Sequence, residues 1–353
     1  MVHIDRAAER DAAQPSPQSG GAGEAWRRLA IGLCAHWAAV TLVAGLLLAI
    51  AASAHLPPIA YGGDDAVLAD GFAWLTRLQA FFADLYAGLA FQLLIAMLAI
   101  GLVIERIIPA RRDGAANGAL NIPYAFVLVF FVASIAPLQV FVADTIADWL
   151  GWRDVFDLRF DPKGSILLSI AAMLVAALVT DFFFYWFHRL QHANRLLWPA
   201  HLLHHSDMAL GVTTTHRTHF LEHVFVPFFM ASPMTVLFVL PAPDLAMIGI
   251  LPAVWSNVVH MNVRVGFGRL WWLLASPQYH RIHHSIEPAH RDKNFAVWFP
   301  IWDVIFGTAY APRRGEFPAT GVDGVQVSTL SGAVALPFVR WYRMASGHAG
   351  KFR

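Results

Sequence analysis

Residues 181–205 read DFFFYWFHRLQHANRLLWPAHLLHH, an apolar aromatic run that leads directly into two groups of histidines. The first group is His188 and His192, and the second is His201, His204 and His205. On a helix, residues three or four positions apart share one face, with their Cβ atoms about 5–6 Å apart. Each group therefore predicts a helical face on which imidazoles converge, and such a face suits a metal ion.

The same spacing returns about eighty residues later. His280-Arg-Ile-His283-His284 repeats the second group, and His260 lies between them in Asn257-Val-Val-His260-Met-Asn262. Thirteen of the seventeen histidines fall between His188 and His290. The three boxes and His260 exceed the four ligands typical of one zinc ion, so the pattern indicates two metal ions. Imidazole accepts zinc, copper, iron and nickel, and the spacing leaves the element open. It also leaves open whether His216, His219 or His223 adds a ligand.

Composition indicates a membrane protein. The chain has 353 residues, of which 57% are hydrophobic and 14% charged, whereas soluble domains carry about 25% charged residues. A net charge of +1 gives no reason to expect a nucleic-acid partner. The single cysteine, Cys34, excludes an intrachain disulfide and a cysteine-based zinc site.

Apolar stretches long enough to cross a bilayer occur at 29–54, 85–104, 123–143 and 164–180. Two more, 224–240 and 245–259, flank Pro241-Ala-Pro-Asp244 and predict a helical hairpin. We therefore expect an all-α integral membrane fold: about four transmembrane helices and a hairpin, with a cytoplasmic histidine-rich helical cap that holds a dinuclear metal site. The expected organisation is a disordered cytoplasmic tail (1–25), N-terminal transmembrane helices (26–163), a catalytic domain (164–310) and a cytoplasmic or interfacial segment (311–353). Within the last segment, 333–344 predicts a short helix that either rests on the membrane surface or packs on the protein.

Basic residues predict the orientation. Arg27 and Arg28 precede the first stretch, Arg106, Arg111 and Arg112 follow the second, and Arg189 and Arg195 follow the fourth. Because an excess of Lys and Arg marks the cytoplasmic side, both termini and all histidine boxes are expected there. In a bacterium this membrane would be the inner one.

The boxes and their surroundings resemble the fatty acid hydroxylase and sterol desaturase superfamily. The resemblance covers roughly 165–310 and includes H-x-x-x-H and two H-x-x-H-H boxes. Asp181 to His188 resembles the family's Asp-x-x-x-Tyr-x-x-His approach, and the segment 218–222 resembles its Arg-x-His-Pro-Leu-Glu element with Phe220 in place of proline. Further similarity lies in 257–262, in Ser276-Pro-Gln-Tyr-His280, in Asn294-Phe295 and in the closing signature at 302–308.

This resemblance implies two iron ions that activate O2 and abstract hydrogen from an unactivated C–H bond of a lipid. It implies nine ligands: His188, His192, His201, His204, His205, His260, His280, His283 and His284. Asp181, Glu222 and Asn257 are the candidates for orienting ligands or assisting catalysis, and Asp207 and Asp303 are nearby carboxylates that could do the same. The sequence has no haem-attachment, flavin or iron–sulfur motif, so we expect electrons from a separate reductase, ferredoxin or cytochrome.

Two other functions could also use histidines in a membrane protein. A zinc-dependent membrane lipid hydrolase would use fewer histidines and a carboxylate base. A metal or proton transporter would spread histidines through the depth of the membrane. The sequence leaves open hydroxylation against desaturation, the position of attack, the lipid (sterol or hopanoid, fatty acyl, ether lipid or carotenoid), the electron donor and the oligomeric state.

Overall fold

A computed structural model describes residues 2–3, 89–112, 118–152, 155–157, 166–239 and 252–347. The predicted first span at 29–54 and most of the predicted tail lie outside these residues, as does the predicted hairpin turn. The described part is mostly helical, as expected.

Long apolar helices form the first part of the fold. They are α1 (Leu89–Ile107), α2 (Gly118–Leu150) and α3 (Ile166–Ala193). Three helical segments of the described residues are long and apolar enough to cross a membrane: Ala119–Leu150, Ile170–Ala193 and Phe220–Leu237. Apolar side chains such as Val140, Phe141 and Leu174 are exposed on these segments, which suits contact with lipid.

The third candidate span consists of three consecutive pieces. Helix α5 (Phe220–Val226) continues through a π-helical turn, Pro227–Ala231, into α6 (Ser232–Leu237). Together they cover most of the first arm of the predicted hairpin. The helical residues 252–260, here α7, correspond to the end of its second arm.

Shorter helices follow the spans and carry the remaining boxes. They are α4 (Trp198–His205), α8 (Pro277–His283), α9 (Ile301–Ile305) and α10 (Leu330–Ala345), with 3-10 turns at Val212–His216, Gly268–Leu270 and Pro288–His290. Strands are two residues long. β1 (Val2–His3) pairs antiparallel with β4 (Gln326–Val327), and β2 (Phe156–Asp157) pairs parallel with β3 (Phe238–Val239).

The largest buried cluster seats α4 against one face of α2. That face consists of residues three or four positions apart: Leu120, Tyr124, Leu128, Phe131 and Ile135. Leu202 and Leu203 of α4 pack on it, together with Leu336 of α10. Helix α10 is thus anchored by buried residues, which favours the packed alternative for the C-terminal helix.

A buried arginine fixes the end of α4. Arg217 is 1% exposed and donates to the Leu203 carbonyl, the Asn121 amide oxygen, the Ser206 hydroxyl and the Val327 carbonyl. A buried guanidinium is tolerated only when its donors are satisfied, so this network ties α2, α4 and β4 to one arrangement.

Candidate metal centre

Two groups of histidines gather at the junction of the spans and the short helices. The five-histidine group is His188, His192, His201, His205 and His283, and the four-histidine group is His204, His260, His280 and His284. Within each group, one ring nitrogen per residue lies within 4.8 Å of all the others. The structure thus brings together all nine histidines that the resemblance implies as ligands.

Each H-x-x-H-H box is divided between the two groups. In α4, His201 and His205 join the five-histidine group and His204 joins the other. In the α8 box, His280 and His284 join the four-histidine group and His283 joins the five-histidine group. Residues i and i+4 therefore converge on one site while residue i+3 reaches the other. Both boxes connect the two sites rigidly, because each lies on one short helical segment.

The contacts within the five-histidine group fit a bound cation. The Nδ1–H of His188 donates to the Phe295 carbonyl at 2.7 Å, and that of His201 donates to Glu222 Oε2 at 2.9 Å. In the neutral rings, each Nε2 then carries a lone pair, yet the two Nε2 atoms are 3.0 Å apart. Facing lone pairs repel unless a cation lies between them. Two ligands at about 2.1 Å from a metal and at a right angle are about 3.0 Å apart.

The four-histidine group has similar spacing. His260 Nε2 lies 3.1 Å from His204 Nε2 and 3.0 Å from His280 Nε2. His284 Nε2 is 3.2 Å from His280 Nε2. The donor set of both groups is imidazole nitrogen, which suits iron, zinc, copper or nickel.

Burial keeps these rings in the metal-binding form. Burial, and after it the repulsion from neighbouring histidines, holds the pKa of His204, His205, His280 and His284 well below its usual value. Burial also lowers the pKa of His283 to about 3. These five rings are thus neutral near pH 7, and a neutral imidazole is the form that binds a metal.

Among the described residues, Glu222 is the one predicted carboxylate that contacts a histidine of the two groups. Its carboxylate accepts hydrogen bonds from the His201 ring, from the side-chain amide of Gln191 and from the backbone N–H of His219. These donors fix the carboxylate, which in turn fixes the tautomer and orientation of His201.

The hydrogen bonds of the other predicted candidates go to residues other than the nine grouped histidines. Asp181 accepts the backbone N–H groups of Trp298 and Phe299, and Asn257 donates to the Ala253 carbonyl in its own helix. Asp303 accepts the Tyr279 hydroxyl and the backbone N–H groups of Phe295 and Ala296. Asp181 and Asp303 therefore hold the 295–299 segment, whose Phe295 carbonyl receives His188. Asp207 accepts hydrogen bonds from the side chains of Asn121 and Thr214 and from the backbone N–H of Ala209.

The sequence does not reveal the backbone carbonyls that accept hydrogen bonds from the grouped histidines. Besides Phe295, they are Lys293, which receives His283 Nδ1–H at 2.8 Å, and Ser256, which receives His260 Nδ1–H at 2.6 Å. Every residue has a carbonyl, so composition carries no signal for them. The Asn294-Phe295 pair was the available clue. Asn294 takes a left-handed conformation with φ 60° and binds the backbone of Tyr279 and Tyr310, so it shapes this loop.

The three histidines left open by the sequence lie outside both groups. His219 caps α5: its Nδ1 accepts the Leu221 N–H, and its Nε2–H donates to the Val334 carbonyl. His223 Nε2 contacts the Thr218 hydroxyl at 3.1 Å. His216 ends the 3-10 turn Val212–His216.

A cavity of about 770 Å³ adjoins the five-histidine group from outside. It lies between the ends of α3 and α4, helix α5 and helix α10. Most of its lining is apolar, including Phe187, Phe225, Phe229 and Trp341, and its polar lining is Gln191, Asn194, Arg195 and Glu222. The cavity therefore borders the five-histidine group through Glu222, which contacts His201.

Part of the chain matches known proteins. Residues 173–308 match the family model described as fatty acid hydroxylase. The chain is 32% identical over 168 residues to the ornithine lipid hydroxylase OlsE of Rhizobium tropici. The matched stretch covers 48% of this chain and 50% of that protein. It is 35% identical over 173 residues to the alkylglycerol monooxygenase of Xenopus tropicalis (49% and 36% covered). It is 31% identical over 178 residues to the very-long-chain aldehyde decarbonylase GL1-1 of Oryza sativa subsp. indica (47% and 28% covered). The chain thus spans half or less of the length of these curated relatives. No solved structure gives a significant match.

Proposed function

We propose, from the premise that residues 173–308 belong to the fatty acid hydroxylase family, that this protein is a membrane-bound non-haem di-iron oxygenase that hydroxylates a C–H bond of a lipid. The observation that carries the proposal is the pair of adjacent all-histidine groups, one of five residues and one of four. The relatives support its chemical class, since those named above include a lipid hydroxylase and a monooxygenase.

Two iron ions held by the nine histidines would supply O2 activation and hydrogen abstraction, with electrons from a separate donor protein. The protein's own contribution is to hold the ligands and to keep water away. Aromatic rings surround the five-histidine group: the Phe295 ring centroid is 5.6 Å from that of His188 and 5.0 Å from that of His192, and Trp198 is 4.9 Å from His192. Such an enclosure protects a reactive centre from side reactions with solvent.

A zinc-dependent lipid hydrolase is the alternative, and the contacts of Glu222 count against it. A hydrolase needs a carboxylate beside the metal to activate water. Glu222 instead lies on the Nδ1 side of His201, away from the converging Nε2 atoms, and three donors occupy it.

The proposal extends to topology. The three apolar segments indicate a multi-pass membrane protein. We place the histidine groups and both termini on the cytoplasmic side, because Arg106, Arg111, Arg112, Arg189 and Arg195 flank the ends of spans on that face.

Isotope labelling tests the function. Membranes that contain the protein, a reductant and ¹⁸O2 are expected to yield a lipid that has gained one ¹⁸O atom, read by mass spectrometry of the lipid extract. Loss of two hydrogens without label would indicate desaturation by the same centre. No O2-dependent change in any lipid, in membranes that contain iron-loaded protein, would contradict the proposal. Membranes with a His283→Ala variant serve as the control.

The cavity beside Glu222 is our candidate for the apolar chain of the substrate. A lipid segment bound there is remote from the reacting carbon, because the nine ligand histidines do not line the cavity. Binding energy from remote segments still positions the reacting bond.

Filling this cavity is expected to weaken substrate binding. Met344 lines it from α10, so the bulkier side chain of Met344→Trp should displace part of the lipid chain and raise KM about tenfold, the effect of losing roughly one buried methylene of substrate, with metal content unchanged. Tyr342→Trp is the matched control, because Tyr342 is on the same helix and 53% exposed. Equal KM values for the two variants would remove the cavity from the substrate path.

A further inference from the structure

The two histidine groups differ in the hydrogen-bond acceptors of Nδ1, the outer nitrogen of each ring, which points away from the other histidines of its group. In the five-histidine group, the Nδ1–H groups of His188, His201 and His283 donate to Phe295 O, Glu222 Oε2 and Lys293 O. In the four-histidine group, His260 alone has such an acceptor within the described part of the chain, the Ser256 carbonyl. The Nδ1 atoms of His204, His280 and His284 are buried and have no hydrogen-bond partner among the residues that the structure describes.

This difference matters because a metal on Nε2 forces the proton onto Nδ1. For His188, His201 and His283 that proton already has an acceptor, so the ring is held in the binding tautomer before the metal arrives. For His204, His280 and His284, metal binding leaves a buried N–H without an acceptor, and an unpaired buried donor is unfavourable.

Negatively charged side chains also lie beside the five-histidine group. The Glu222 carboxylate lies against His201, and Asp292 Oδ1 lies 3.7 Å from His192 Nδ1. Both increase the attraction of the five-histidine group for a cation. This group also offers one more ligand than the other.

We propose that the two metal sites are unequal: the five-histidine group retains its metal, and the four-histidine group is the site that exchanges it. The inference rests on the proposed metal centre and adds an order of binding and release to it. Partners of the outer nitrogen typically change metal affinity 10- to 100-fold. We therefore expect the two sites to release metal at rates that differ at least about tenfold.

Chelation of the wild-type protein is the first test. The detergent-purified full chain, loaded with two Co²⁺ ions and then exposed to excess EDTA, should lose cobalt in two phases of equal amplitude. At the end of the fast phase, hydrogen–deuterium exchange at the imidazole C2 position, read by mass spectrometry, should have increased at His204, His280 and His284. Exchange should remain slow at His188, His201 and His283.

Two matched variants assign the phases. His284→Gln should remove the fast phase and keep the slow one, whereas His188→Gln should remove the slow phase. A single release rate for both ions, or early exposure of the five-histidine group, would overturn the inference while leaving two metal sites in place. A wild-type protein that binds no metal would overturn the proposed centre itself and this inference with it. The exchange measurement uses unaltered protein, so the result does not depend on whether the variants fold.

Discussion

Replacing either His204 or His283 with alanine is expected to abolish lipid oxidation, with turnover falling at least about 1000-fold. The two residues belong to different groups: His204 Nε2 is 3.1 Å from His260 Nε2, and His283 Nε2 is 3.1 Å from His205 Nε2. Residues that act as one unit lose nearly the whole effect when a single member is removed. For the same reason, the double variant should be no worse than either single variant.

The measurement is product formation per chain, in membranes with equal amounts of folded protein. His223→Gln is the matched control, because His223 is a histidine of the same region that lies outside both groups and contacts the Thr218 hydroxyl. We expect this control to keep most of the activity. Substantial turnover in His204→Ala or His283→Ala would show that the corresponding group is dispensable and would contradict a two-metal centre.

Glu222→Gln is expected to weaken metal binding 10- to 100-fold, the usual effect of removing a partner of a ligand histidine. Glutamine has nearly the same size but carries an NH2 group. In the wild type, both carboxylate oxygens accept hydrogen bonds, from His201 and Gln191 at Oε2 and from the His219 N–H at Oε1. In the variant, the NH2 group of glutamine therefore faces a hydrogen-bond donor at one of these two positions. The substitution also removes the negative charge beside His201.

Metal per chain after dialysis at a fixed free metal concentration measures this effect, together with the melting temperature of the metal-free protein. Glu287→Gln is the control, since Glu287 is exposed. A fall in metal affinity with little change in metal-free stability would identify Glu222 as a positioning residue for His201. Equal metal affinity in Glu222→Gln and wild type would show that His201 is oriented without the carboxylate.

Much of the site could be predicted from spacing and resemblance. Spacing predicted that the histidines within each box share a helical face, because i and i+4 positions do so regardless of tertiary structure, and the resemblance added His260 and joined the boxes into one set of nine. Spacing alone did not show that the i+3 residue, such as His204, belongs to the other group. The assignment depends on how α3, α7 and α8 approach α4, and the spacing within a box carries no information about these long-range contacts.

The partners of the carboxylates and the directions of the backbone carbonyls were harder to predict, because both depend on the path of loops. Glu222 lies on the same chain segment as His219 and could be proposed from the resemblance, but a carboxylate such as Asp181 can bind backbone amides as readily as an imidazole. Its contacts with Trp298 and Phe299 depend on a loop whose path the sequence does not reveal. The same applies to the carbonyls of Lys293 and Phe295, whose directions follow from the left-handed conformations of Asp292 and Asn294.

The most direct test of the central claim is the metal content of the detergent-purified protein, combined with Mössbauer spectroscopy of an iron-57 preparation. A di-iron oxygenase with two histidine groups should contain about two iron ions per chain, with the spectrum of a coupled pair. Stoichiometric zinc, found again after expression with ample iron, would contradict the oxygenase and favour the hydrolase.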